Sequence, residues 1–184
     1  MNYFIDITLL PDPEFKANVL LNSLYTKFHK ALFDLKSTKI GVSFPKYKVT
    51  LGNVLRIHGE KLELNKLQEL NWIGGMNGYC IIGDITPIPE VTKFRIVSRV
   101  QTTMSNSKLQ RLIKRGSIPE DDIKQYRAKM FSKGIDDTPY LELVSSSNGH
   151  KHRRYIKFSE ILDKSVKGNF DQFGLSKTAT IPWF

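Results

Sequence analysis

A chain of 184 residues, 40% of them hydrophobic, can bury one good core or two small ones, and its composition is that of an ordinary globular protein rather than a disordered chain. It holds no run of 18 apolar residues, and Asp6 with Pro11-Asp12-Pro13 interrupts its first stretch, so we expect neither a membrane span nor a secretory leader, and a cytoplasmic location. The formal net charge of +10 is unevenly placed: residues 1–92 carry 10 Lys+Arg against 9 Asp+Glu, whereas residues 93–184 carry 18 against 9. Solubility does not require that asymmetry, and a polyanion docking on the second half explains it.

Residues 2–9 alternate apolar and polar and predict a first strand, ended by Pro11-Asp12-Pro13. From Glu14 a helical pattern follows, with Phe15, Val19, Leu20, Leu24, Phe28, Leu32 and Leu35 on one face and His29 directly after Phe28. A short extended piece over 40–44, a strand over 54–58, a helix over 62–70 and a strand over 79–85 come next. With a strand over 91–101 able to close the set, the order matches a ferredoxin-like βαββαβ arrangement in an α+β protein. The single Cys80 lies in an apolar run with no disulfide partner and no neighbours at metal-ligand spacing; it reads as a small core residue, and no structural metal is expected. A domain boundary near Pro87–Thr92 divides the chain into residues 1–90 and a smaller α+β unit over 91–184.

Residues Phe94–Arg115 are the most informative stretch. Phe94, Ile96, Val97 and Val100 against Arg95, Ser98, Arg99 and Gln101 read as a half-buried strand. Ser105-Asn106-Ser107 then supplies an N-cap cluster, and Leu109, Leu112 and Ile113 keep helical spacing. Lys108, Arg111, Lys114 and Arg115 recur at three- and four-residue steps and form a cationic ridge. Such a ridge is most often a solvated helix face; the charge asymmetry is what favours a nucleic acid. Ile118-Pro119-Glu120-Asp121-Asp122 starts a second helix running to about Phe131. Strands over 140–147 and 151–158 flank the hairpin signal Asn148-Gly149, and the chain ends on Pro182-Trp183-Phe184.

Of the histidines His29, His58, His150 and His152, none belongs to a close His/Cys cluster, and a lone helical histidine is usually structural. A metal-free ribonuclease nonetheless needs only one group titrating near neutrality to take a 2′-hydroxyl proton. A hydroxyl to orient that oxygen is available in Ser145-Ser146-Ser147, where Ser145 and Ser147 share a strand face and composition does not choose between them. Arg99 and Gln101, two apart on a strand, project together and suit bidentate contacts to guanine and adenine. The A-form major groove is closed to side chains in mid-helix, so such a pair reads bases only at the end of a stem.

These residues carry a resemblance that spans nearly the whole chain. The chain resembles the CRISPR-associated endoribonuclease of the type I-F system in Asp6-Ile7, Pro11-Asp12-Pro13-Glu14-Phe15, His29, Ile40-Gly41-Val42-Ser43-Phe44-Pro45 and Leu55-Arg56-Ile57-His58. The resemblance continues in Ser98-Arg99-Val100-Gln101, the basic helix, Gly174-Leu175-Ser176-Lys177 and the final Pro182-Trp183-Phe184. It implies a ferredoxin-like N-terminal domain, a basic helix in the groove of the CRISPR repeat stem-loop, and metal-independent, cofactor-free cleavage at the 3′ base of the stem that leaves a cyclic phosphate. It also implies a chain, monomeric when free and without a membrane partner, that stays on the crRNA 3′ hairpin within the type I-F interference complex of antiviral defence. By position His29 matches the family's proton-accepting histidine and Ser145 its 2′-hydroxyl-positioning serine. Arg99 and Gln101 match the base-reading pair, and Lys108, Arg111, Lys114 and Arg115 fall on the phosphate-tracking helix. Two positions depart from the family: Phe173 stands where a tyrosine can precede Gly-Leu-Ser, leaving stacking or packing there, and His152 stands where a phenylalanine can stack under the terminal base pair. The helix is also poorer in arginine, with Gln110 and Lys114 in it. Two further readings are a hairpin-binding cap that cuts poorly or not at all, favoured by Phe173, and an ordinary RNA-binding ferredoxin-like domain, which lacks an aromatic ladder on an early strand.

Overall fold

In the computed structural model, the alternation of the first residues becomes strand β1 (Tyr3–Leu9), which turns Ile5, Ile7 and Leu9 fully inward. The structure describes residues 1–90, 92–100, 106–132, 138–144 and 149–184. Helix α1 (Ala17–Leu35) follows and buries Leu20, Leu21, Leu24, Tyr25, Phe28, Ala31 and Leu32 along one stripe. Each large apolar side chain in that stripe contributes about 1.5–3 kcal/mol. The helix begins three residues later than its apolar pattern suggests. The Asp12 carboxylate accepts the backbone N–H groups of Glu14 and Phe15, at 2.9 and 2.8 Å, holding residues 12–15 in a turn. Phe15 consequently precedes the helix and is exposed, and Val19, inside it but on the side opposite the buried stripe, is exposed too.

Strands β2 (Gly41–Ser43), β3 (Val54–Gly59) and β4 (Cys80–Ile82) join β1 in the order β2-β3-β1-β4, and every neighbour is antiparallel. Helix α2 (Lys61–Glu69) packs Leu64 and Leu67 into the same core. The expected strand over 79–85 is shorter, because Tyr79 ends a 3-10 turn over Gly74–Tyr79 and pairing breaks at Gly83, whose N–H bonds the Asp6 carbonyl. Pairing with β1 then resumes in β5 (Thr86–Pro87), Tyr3 opposite Pro87. Cys80 is buried, as expected of a small core residue, with its thiol against the Met76 carbonyl.

The strand expected over 91–101 does not close this sheet. It divides at Ile96 into β6 (Lys93–Arg95) and β7 (Val97–Val100), because the Ser159 hydroxyl takes the Ile96 N–H and ends one ladder before the next begins. Helix α3 (Asn106–Lys114) ends in a Schellman arrangement: Gly116, at φ +62°, donates to Ile113, and Ser117 donates to Leu112. Helix α4 (Glu120–Ser132) opens with three acids in its first turn, which suits its positive end. Strand β7 pairs with β9 (Lys151–Phe158), which pairs in turn with β8 (Tyr140–Val144), while β6 pairs with β10 (Ile181–Trp183). The bend expected at Asn148-Gly149 falls partly on residues 145–148, outside the described residues, although Val144 stands opposite Lys151 as a hairpin requires.

A shared core and several hydrogen bonds bind the halves. Buried Val97, Leu141, Leu143, Ile156, Phe170, Leu175 and Ile181 belong to the same apolar cluster as the first sheet, and the Asn22 side chain on α1 accepts the Glu142 N–H of β8 at 3.0 Å. Arg56 on β3 makes a two-point ion pair with Asp6, at 2.7 and 2.8 Å, and also donates to the Phe184 carbonyl. Its guanidinium lies over the rings of Phe4 and Phe184, so the chain's last residues are held on the first sheet.

Candidate functional site

The site grows from a turn near the C-terminus. Asp171 organises residues 171–175: its Oδ1 accepts the N–H of Phe173 at 2.8 Å and of Leu175 at 3.0 Å, and its carbonyl accepts the N–H of Gly174. Gly174 sits at φ +68°, a conformation that favours glycine, and a Cβ there would meet Val42 at 3.0 Å and Phe28 at 3.3 Å. Its carbonyl accepts the Val42 N–H, and the fully buried Tyr25 hydroxyl donates to the Phe173 carbonyl at 2.6 Å. Burial, then the Asp171 charge, holds the Tyr25 pKa far above its ordinary value, so Tyr25 stays a donor. Each end of the turn is thereby fixed to α1 or β2.

His29, half-buried on α1 at the margin of the Phe28 stripe, meets this turn twice. Its ring stacks on Phe173 with centroids 3.6 Å apart and planes 11° from parallel. Its Nδ1 lies 2.8 Å from the Gln172 carbonyl oxygen, which can only accept, so in the neutral ring Nδ1 carries the hydrogen and the lone pair falls on Nε2. The backbone has selected the tautomer of a proton acceptor.

The opposite face of Phe173 carries Arg154, whose guanidinium carbon stands 3.4 Å from the ring centroid. Two groups at such short heights cannot share one face, so the order is imidazole, benzyl ring, guanidinium. Arg154 is 5% exposed, and its Nε–H finds no partner among the described residues. Burial, then the like charge of Arg99, lowers its pKa from the ordinary arginine value, and Tyr25 and Asp171 oppose that shift. Arg154, Arg99 and Lys177 line a cavity of about 770 Å³ with Lys36 and Asp171.

Strand parity explains the grouping. Paired residues of antiparallel strands share a face, and Arg99 stands opposite Ile156, Leu141 opposite Arg154, and Leu143 opposite His152. Arg99, Arg154 and His152 therefore lie on the face that also carries buried Val97, Leu141, Leu143 and Ile156, with Arg99 and His152 at its exposed edges. Sequence reasoning passed over Arg154, yet its signal is visible: an arginine occupies the inward phase of Lys151–Phe158, two residues before Ile156. Tyr25 gave no comparable signal, because its hydrogen bond to the Phe173 carbonyl spans 148 residues of chain.

The remaining candidates divide clearly. His58 is wholly buried against the Ser43 hydroxyl at 2.8 Å, a core position. Lys108, Arg111, Lys114 and Arg115 are exposed along and just beyond α3, whose Leu109 is fully buried. Ser145, Ser147 and Gln101 lie outside the described residues.

The family model described as "CRISPR-associated protein (Cas_Csy4)" matches residues 4–184. The chain belongs to this family. It is 37% identical over 185 residues to the CRISPR-associated endonuclease Cas6/Csy4 of Escherichia coli (strain UTI89 / UPEC), and 33% identical over 188 residues to that of Pseudomonas aeruginosa (strain UCBPP-PA14). Both matches cover 100% of this chain and of the relative. Membership of the Cas_Csy4 family bears out the resemblance drawn from the sequence, and no helix among the described residues is long and apolar enough to cross a membrane.

Proposed function

We propose that this member of the Cas_Csy4 family is the metal-independent endoribonuclease that cuts CRISPR repeat RNA at the 3′ base of its stem and remains on the crRNA hairpin. The observation that carries the reading is the fixed tautomer of His29, whose Nε2 lone pair is presented beside Phe173 while Nδ1–H is held by the Gln172 carbonyl. Nε2 takes the proton of a 2′-hydroxyl, and that oxygen forms a bond to the adjacent phosphorus. The bond from phosphorus to the 5′-oxygen breaks, and the leaving oxygen takes a proton from solvent. The products are a 2′,3′-cyclic phosphate and a 5′-hydroxyl, and the base contributes about 10²–10⁴-fold. Phe173 cannot offer a free ring face to a nucleobase, since His29 and Arg154 cover both; its role is to seat the imidazole.

Around this step, Arg99 and Gln101 read the lowest base pairs, Ser145 orients the 2′-oxygen, and His152 stacks under the stem from the exposed edge of the sheet. The cations of α3 track phosphates. The strand order β2-β3-β1-β4, with α1 and α2 between its members, supports a ferredoxin-like domain over residues 1–90, followed by an RNA-binding unit. A monomer in the cytoplasm that joins the other subunits of the type I-F complex through its retained RNA completes the proposal.

The test is incubation with repeat RNA in chelator, with and without a 2′-deoxy nucleotide at the cut. Cutting of the ribose substrate alone is expected. Cutting of the deoxy substrate would refute 2′-hydroxyl attack, and binding without cutting of either would leave the hairpin-binding cap.

A further inference from the structure

Arg154 is an expensive residue to bury. A guanidinium at 5% exposure, carrying an N–H without a partner among the described residues and facing a second arginine, would normally be closed by a carboxylate. None of the ion pairs among the described residues involves it. The acid nearest in the cavity wall, Asp171, spends its Oδ1 on the N–H groups of Phe173 and Leu175. The cavity is therefore a recess of about 770 Å³ in which four cations, Arg154, Arg99, Lys36 and Lys177, face the single carboxylate of Asp171.

Its position says which anion. The recess opens on the Arg154 face of Phe173, and His29 lies on the other face, one ring thickness on either side. A polynucleotide that places a 2′-hydroxyl at His29 Nε2 must carry its neighbouring phosphates past the edge of that ring. Resting on the reading of His29 as the base, the geometry points to Arg154 as a phosphate ligand of the cleavage site: with Lys177 on the same cavity wall it holds an RNA backbone phosphate within one nucleotide of the cut, beside the base-reading Arg99. Arg154 is then a residue of the reaction itself, because attack by the 2′-oxygen adds negative charge to the phosphoryl oxygens, and a desolvated guanidinium stabilises that charge more than water does. It also accounts for the local cost, since the cation–π contact with Phe173 leaves the Arg154 Nε–H without a partner among the described residues, and a bound RNA phosphate supplies one.

The experiment uses the full chain in chelator at saturating protein, so that the single-turnover rate is read apart from affinity. Repeat RNAs carry a stereopure phosphorothioate at the cut phosphate or at either neighbour. Arg154→Met should lower the rate by about 10- to 100-fold, the worth of one charge-assisted hydrogen bond. It should bind a stem-loop truncated before the cut as tightly as the parent does, and Arg154→Lys should recover part of the rate. At least one phosphorothioate should slow the parent and not slow Arg154→Met further. A merely structural role would leave that sulfur effect unchanged in the variant, which overturns the inference. So does a parent protein indifferent to sulfur at all three positions, a result that does not depend on how the variant folds. If the parent requires the 2′-hydroxyl and Arg154→Met cuts at the parent rate, the inference fails while the ribonuclease reading stands; if the parent cuts 2′-deoxy RNA, that reading fails first.

Discussion

Replacing Gly174 by alanine perturbs the turn that holds His29 without touching the imidazole. Two costs add. The first is conformational: at φ +68° an L side chain costs about 1–2 kcal/mol. The second is steric, because the new Cβ would stand 3.0 Å from Val42 Cγ1 and 3.3 Å from Phe28 Cε1, both in the packed core, and relieving such crowding costs about 1–3 kcal/mol. Gly116 provides the comparison, since it has φ +62° and open space among the described residues, so Gly116→Ala meets only the first cost. Urea denaturation should show Gly174→Ala losing about 2–5 kcal/mol and Gly116→Ala about 1–2 kcal/mol. In thermal melts each kcal/mol lowers Tm by about 2–4 °C in a chain of this size. Relief of the clash must move the Gly174 carbonyl off Val42 and the Gln172 carbonyl off His29, so the single-turnover cleavage rate of Gly174→Ala should fall while hairpin affinity holds. Equal stability losses in the two variants, or Gly174→Ala cutting at the parent rate, would refute the reasoning.

Tyr25→Phe removes a buried hydroxyl and leaves the Phe173 carbonyl without its donor; denaturant unfolding should show a loss of about 1–3 kcal/mol. Burial, with the charges of Arg56 and the N-terminus, pushes the His58 pKa down to about 3, so between about pH 6.5 and 3 the unfolded chain binds a proton that the folded chain refuses. Stability should therefore fall as pH drops through that window, by at most about 1.4 kcal/mol per pH unit from this group, and His58→Gln should flatten the slope in Tm measured against pH. Arg99→Ala should weaken binding of the cognate stem by about 1–3 kcal/mol and relax discrimination at one base pair; equal losses on cognate and scrambled stems would mark Arg99 as a phosphate contact instead.

Local rules made part of this molecule legible. Strand β1, helix α2 and the acid-led start of α4 follow from periodicity and turn chemistry, and His29 stands out because one imidazole suffices for the proposed step. Where tertiary contacts compete with local pattern, the sequence misleads. Phe15 reads as part of the apolar face of α1 but is lost from it because the Asp12 carboxylate captures two N–H groups ahead of the helix, and Val19, within the helix, falls on the side opposite the buried stripe. The apolar run around Phe94–Val100 reads as one strand and is two, because a serine hydroxyl 63 residues away takes the N–H at the junction. What holds His29 was hidden for the same reason: the Gln172 carbonyl is 143 residues distant, and nothing in the spacing of Phe-Gly-Leu-Ser announces that its phenylalanine lies between an imidazole and a guanidinium.

The measurement closest to the centre is the cleavage rate of His29→Ala on repeat RNA in chelator, read together with its affinity for the same hairpin. If Nε2 of His29 accepts the 2′-hydroxyl proton, the rate falls by about 10²–10⁴-fold while the dissociation constant stays near that of the parent. A variant that cuts at the parent rate would contradict the account and move the base elsewhere, with His152 the next imidazole to remove.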